Sequence, residues 1–188
     1  DEFHFNPDRL IASGGSAGGH LAIALCVCPL EGAAPEARPN ACIGFNPNVT
    51  VCGLRRWAEL TGFSPVDGKG LPVYTEADCP MTALSWVEAG LDALSLPPML
   101  ILHGEEDPAP TAYSSAKGFV EKYVALGGQA DLMSYPNQTH GVFNKGSPVR
   151  VGRDPTPGLA QGEETTTLFS DTLADVDEWL TQRGHIEH

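Results

Sequence analysis

The chain has 188 residues, 41% of them hydrophobic and 19% charged, the balance of a folded protein rather than a disordered one. One domain of this length removes roughly 70% of the unfolded chain's surface from water, so residues 1–188 are expected to form a single unit. The formal net charge of −13, from 24 Asp and Glu against 11 Lys and Arg, repels phosphate and anionic lipid and argues against nucleic-acid binding.

In chain order, Asp8 to Ser13 ("DRLIAS") is a short apolar run after a proline turn, and Ala17 to Val27 is rich in Ala, Leu and Ile with no breaker after Gly19. The pair predicts strand, tight turn and helix. Ala41 to Val51 ("ACIGFNPNVTV") predicts a second strand whose length is limited by Pro47. Between Gly53 and Leu96, Gly62, Pro65, Gly68, Gly70, Pro72 and Pro80 interrupt short amphipathic pieces. This stretch, 53–96, reads as an irregular excursion or cap over a site, since loops of that length are usually functional or disordered. Trp57 and Trp86 within it are expected to pack in a core rather than line a pocket.

"PPMLILHG" (97–104) is a continuous apolar run ending in glycine, as expected of a parallel strand buried on both faces. The stretch 111–128 carries Ala112, Ala116, Phe119, Val120, Tyr123 and Val124 at helical spacing before a glycine stop, and "ADLMSYP" (130–136) predicts a further strand. A last helix over 166–184 sets Leu168, Phe169, Leu173, Val176, Trp179 and Leu180 on one face. Strands alternating with helices predict an α/β fold, a parallel sheet with helices on both faces.

The five cysteines, Cys26, Cys28, Cys42, Cys52 and Cys79, are odd in number and mostly apolar in setting, so no disulfide framework is expected. Cys26 and Cys28 lack the second pair or the histidines that a zinc site needs. No run of 18 apolar residues and no basic leader with a cleavage signal occurs, so no membrane span is expected and a cytoplasmic compartment is favoured. Asn48-Val-Thr50 and Asn137-Gln-Thr139 match glycosylation sequons, but a glycan on the second would crowd His140, and both read as chance.

The chemistry concentrates in "IASGGSAGGHLA" (11–22). Gly14-Gly15-Ser16-Ala17-Gly18 matches G-x-S-x-G, in which a serine sits on a strained strand-to-helix turn with its hydroxyl above the sheet. A dinucleotide fingerprint would need glycine at Ser16, and a phosphate-binding loop would need lysine at His20. A serine hydroxyl needs a base, and the base needs a carboxylate to hold its tautomer. On parallel sheets such groups come from loops at the carboxyl ends of strands. Asp107 follows the buried strand, with Glu105 and Glu106 as rivals just before it, and His140 follows the last strand, next to a glycine that lets its loop approach the serine. The order Ser, Asp, His is the one that goes with G-x-S-x-G.

The segments "DRLIASGGSAGGHLA", "LPPMLILHGEEDPAP" and "THGVF" resemble the nucleophile, acid and histidine segments of serine α/β-hydrolases, in particular small carboxylesterases and acetylesterases related to hormone-sensitive lipase and acetyl xylan esterases. The resemblance spans nearly the whole chain. It implies Ser16 as nucleophile, Asp107 as acid, His140 as base and the backbone N–H of Ala17 as an oxyanion donor, in a metal-free and cofactor-free hydrolase of short acyl esters, carbohydrate acetyl esters among them. "GGSAGGH" is also compatible with prolyl-oligopeptidase-type peptidases, and a non-catalytic, hydrolase-derived association fragment is the reading from another class. The family domain has about eight strands and a second oxyanion donor on an earlier loop. This chain holds the equivalent of the last four strands, so the expectation is a partial domain, completed by an N-terminal segment or by pairing with another copy.

Overall fold

The structure, a computed structural model, describes residues 6–27, 38–49, 96–108, 111–141, 143–144 and 163–187. A 3-10 turn at Pro7–Arg9 leads into β1 (Ile11–Gly15) and α1 (Ala17–Val27), followed by β2 (Ala41–Phe45). Then come β3 (Met99–Gly104), α2 (Tyr113–Ala125), β4 (Ala130–Tyr135) and α3 (Glu163–Gln182). Among the described residues these four strands form one parallel sheet in the order β1-β2-β3-β4.

The first strand differs from its sequence prediction in a useful way. Asp8 and Arg9 belong to the 3-10 turn, where Asn6 accepts the Asp8 N–H, and the strand instead runs on through Gly14 and Gly15. The second strand ends at Phe45, because Asn46 takes a positive φ of 43° and Pro47 follows. The predicted excursion, with Trp57 and Trp86, lies outside the described residues except for Leu96, which is buried.

Alternation along the strands divides the core into two layers. Met99 and Ile101 face Ala22, Ile23, Cys26 and Val27 of α1 and Ala116, Phe119 and Tyr123 of α2. Leu100 and Leu102 face the other way, toward Trp179 and Leu180 of α3. Such two-sided cover explains why β3 is an unbroken apolar run with every residue buried. At roughly 25 cal/mol per Å² of apolar surface removed from water, these layers supply the main driving force for folding.

Polar contacts set the helices on the sheet. Tyr123 donates its hydroxyl to the Pro97 carbonyl at 2.7 Å, and burial pushes its phenol well above the ordinary range. Trp179 Nε1 donates to Asp131 at 2.7 Å, and Arg183, lying over the Trp179 ring, donates to the same carboxylate at 2.6 Å. Cys26 and Cys42 are buried free thiols, as their apolar surroundings predict; the neighbouring Cys26 and burial both raise the Cys42 thiol. Among the described residues no helix is long and apolar enough to cross a membrane.

Candidate active site

Because all four strands run parallel, their carboxyl ends lie along one edge of the sheet. Ser16 follows β1, Asn46 follows β2, Asp107 follows β3, and His140 follows β4.

The turn at Ser16 is built by crowding. A Cβ on Gly14 would run into the Gly18 backbone, and one on Gly19 would meet the Gly14 carbonyl and Pro47 at 2.9 Å. Gly18 itself has open space around it. The positive φ, 55°, falls on the serine and not on a glycine. A serine there is strained and is held by its N–H donating to the Phe45 carbonyl at 2.9 Å, while its carbonyl accepts from His20 and Asn48 at 3.1 and 3.2 Å. His20 Nδ1 meets the Asn48 carbonyl at 2.8 Å, tying the start of α1 to the loop after β2. Asn48, the first sequon asparagine, is itself buried.

His140 Nε2 lies 2.9 Å from Ser16 Oγ, and His140 Nδ1 lies 2.9 Å from Asp107 Oδ2. The Asp107 side chain is fully buried while that of His140 is 39% exposed. The sequence rivals stand elsewhere: Glu105 and Glu106 are exposed, and Glu105 accepts from Ser134 at 2.7 Å. Ala17 opens α1, so its N–H is in the first turn, whose amides find no acceptor inside the helix.

Two groups that the sequence did not single out hold the carboxylate. Asn46 Nδ2 donates to Asp107 Oδ2 at 2.5 Å, and Thr111 Oγ donates to Asp107 Oδ1 at 2.8 Å while lying 3.0 Å from His140 Nδ1. Position at a strand end was the available signal for Asn46, and a hydroxyl four residues after the acid was the signal for Thr111. Behind them His103 is wholly buried. Its Nδ1 donates to the Gly104 carbonyl at 2.9 Å, and its Nε2, without a hydrogen-bond partner, is 3.8 Å from Asp107 Oδ2. Burial holds this imidazole below its ordinary titration range, against the opposing pull of the Gly104 carbonyl and Asp107.

The histidine loop reaches the site because β3 ends in glycine. A Cβ on Gly104 would lie 2.5 Å from the Gln138 carbonyl oxygen and 2.9 Å from that of Thr139. Gly141, the residue expected to admit the loop, contributes a φ of 77° just past the histidine.

Beside Ser16 and His140 opens a cavity of about 480 Å³ walled by Phe45, Phe143, Phe169 and Leu173. Phe143 packs against Phe45 and Tyr135 with ring centroids 5.5 and 5.4 Å apart. The sequence pattern put Phe169 and Leu173 on the docking face of the last helix. In the structure they line this cavity, and Leu173 is 49% exposed. Chemically, a hydroxyl, an imidazole and a buried carboxylate in series beside an apolar cavity can pass a proton from the hydroxyl while an uncharged group is held next to it.

Comparisons with known proteins agree with this architecture. The chain is 28% identical over 194 residues to the isoprenylcysteine α-carbonyl methylesterase of Arabidopsis thaliana, covering 92% of this chain and 43% of the plant protein. Thermogutta terrifontis esterase 2, solved phosphoramylated by tabun, superposes with a TM-score of 0.63 at 27% identity over 97% of this chain and 58% of the esterase. The same esterase with propionate bound gives a TM-score of 0.60 at 28% identity, with the same coverage of both chains. The chain thus spans between two fifths and three fifths of the length of these relatives. The sequence profile described as the alpha/beta hydrolase fold matches residues 1–144, and this chain belongs to that family.

Proposed function

We propose that the chain carries the nucleophile, acid and base of a serine carboxylic ester hydrolase acting on short acyl esters. The observation that carries this reading is the relay itself, Ser16 Oγ to His140 Nε2 and His140 Nδ1 to Asp107 Oδ2, each at 2.9 Å. Ser16 Oγ attacks the ester carbonyl as His140 Nε2 takes its proton. Asp107 keeps the proton of His140 on Nδ1, so that Nε2 is free to act as base, and it stabilises the imidazolium that forms. The Ala17 N–H, at the positive end of α1, donates to the developing oxyanion. His140 returns the proton to the departing alcohol, and water, activated in the same way, releases the acid and restores Ser16.

An apolar acyl or alcohol group is supported by the wall of Phe45, Phe143, Phe169 and Leu173. The acid is short by analogy with the related esterase that holds propionate. The edge of β1, unpaired among the described residues, and the exposed Leu21 and Leu25 on the outer face of α1 support completion of the site by a further segment or a second copy, because open apolar edges associate. A stable, strictly monomeric and fully active 188-residue species in analytical ultracentrifugation would refute that completion.

The test of the main reading is hydrolysis of p-nitrophenyl acetate, butyrate and octanoate by the chain and by Ser16→Ala. Turnover that favours the short esters and disappears on substitution is expected. Turnover that survives Ser16→Ala would remove the serine mechanism, and a preference for octanoate would remove the short-acyl assignment.

A further inference from the structure

Asn46 combines two unfavourable features. Its φ of 43° lies in the left-handed region, which asparagine tolerates better than most residues but at some strain. Its side chain is buried, the residue being 1% exposed, with Oδ1 left without a hydrogen-bond partner. A buried amide half-satisfied in this way is destabilising, so the other half is where a return must lie. That half is Nδ2, which donates to Asp107 Oδ2 at 2.5 Å. The amide orientation follows from the chemistry, since the reverse would set a carbonyl oxygen against a carboxylate.

The same Oδ2 receives His140 Nδ1. It also faces His103 Nε2 at 3.8 Å, and because His103 gives its Nδ1 proton to the Gly104 carbonyl, the face it turns to Asp107 is a lone pair. Thr111 restrains only Oδ1. Asn46 is therefore the donor that, with His140, holds the second carboxylate oxygen in place although it faces the electron-rich nitrogen of His103. The backbone fixes the donor in place: the Asn46 N–H donates to the Leu102 carbonyl at 2.8 Å, one strand over.

We infer that Asn46 is a positioning residue that acts through Asp107, setting the carboxylate orientation in which His140 can serve as base. This rests on the serine-hydrolase reading above. An asparagine is suited to the place because a second carboxylate would face Asp107 at hydrogen-bonding distance, and two carboxylates sharing a site cannot both ionise freely.

The test uses Asn46→Ala and Asn46→Asp in the full chain, with folding verified by near-UV circular dichroism. Asn46→Ala is expected to lower kcat about 10- to 100-fold with KM unchanged within about twofold, the signature of lost alignment rather than lost binding. Asn46→Asp restores a donor only while the introduced carboxyl is protonated. Its rate should therefore fall on the alkaline side, where the parent's does not. A purely structural role for Asn46 would lower the rate at every pH and leave the profile's shape unchanged.

A readout independent of turnover is the His140 Nδ1 proton, followed by NMR as a downfield resonance that is expected to be lost to solvent exchange in Asn46→Ala. Retention of kcat within twofold by Asn46→Ala, or an Asn46→Asp profile parallel to the parent's, would overturn the inference. If Ser16→Ala shows that turnover does not depend on the serine, the NMR resonance decides instead: its loss in Asn46→Ala upholds the hold on Asp107, and its persistence overturns it.

Discussion

His140 Nε2 and Ser16 Oγ lie 2.9 Å apart, although 124 positions separate them in the chain. The strands that present them, β1 and β4, are the first and last of the four-stranded sheet. Two loops must cross the intervening strand ends to meet, and each feature that allows the crossing can be tested.

The imidazole must be neutral to act as base. His140→Ala should cost about 10⁴- to 10⁶-fold in kcat, and the double variant with Ser16→Ala should be little worse than either alone, since groups acting as a unit are not additive. Additive losses would count against this base.

Gly104→Ala places a methyl group 2.5 Å from the Gln138 carbonyl oxygen. Neither strand end nor loop can yield without moving His140, so a loss of about 100-fold in kcat is expected from misplacement of the order of an ångström. The stability cost should be smaller, about 1–3 kcal/mol of overpacking. Activity and chemical denaturation measured on the same preparation separate the two effects; unchanged activity with lowered stability would show that the loop yields without displacing the histidine.

Thr111→Val removes the hydroxyl that donates to Asp107 Oδ1 while nearly conserving shape. A buried carboxylate oxygen left without its donor should lower stability by about 1–3 kcal/mol. Urea unfolding measures this directly, and a midpoint equal to the parent's would mean that another donor takes over.

His103 and His20 are both held below their ordinary titration range, chiefly by burial. As the pH falls through about 6.5, the unfolded chain takes up protons that these folded imidazoles refuse. Protonation thus favours the unfolded state, so stability is fully present above that pH and is lost progressively below it. The melting temperature should drop between pH 7.5 and 5.5, and the drop should be shallower in His103→Gln. A parent melting temperature that is constant over this interval would contradict the sign.

Much of this architecture was legible locally. The unbroken apolar run 97–104 gave β3 because burial on both faces leaves no polar alternation to interrupt it, and the helical spacing of Ala116, Phe119, Val120 and Tyr123 gave α2 its buried face. Boundaries were less legible. Gly14 and Gly15 read as turn residues, yet they finish β1, because pairing with Gly44 and Phe45 outweighs their weak intrinsic preference for strand. On α3, Phe169 and Leu173 have the spacing of core residues, and spacing alone cannot tell a core from the wall of a cavity.

The sequence by itself determined the order of elements and the parallel sheet, and it offered Ser16, His140 and an acid among Asp107, Glu105 and Glu106 as candidates, because these follow from periodicity, from glycine at crowded turns and from residue types at strand ends. Only the tertiary structure decided that Asp107, rather than Glu105 or Glu106, faces His140, and that Asn46 and Thr111 hold its two oxygens. Those relations depend on where neighbouring strands stop relative to one another, and strand register is fixed by packing across the sheet, at distances in sequence that no local pattern records.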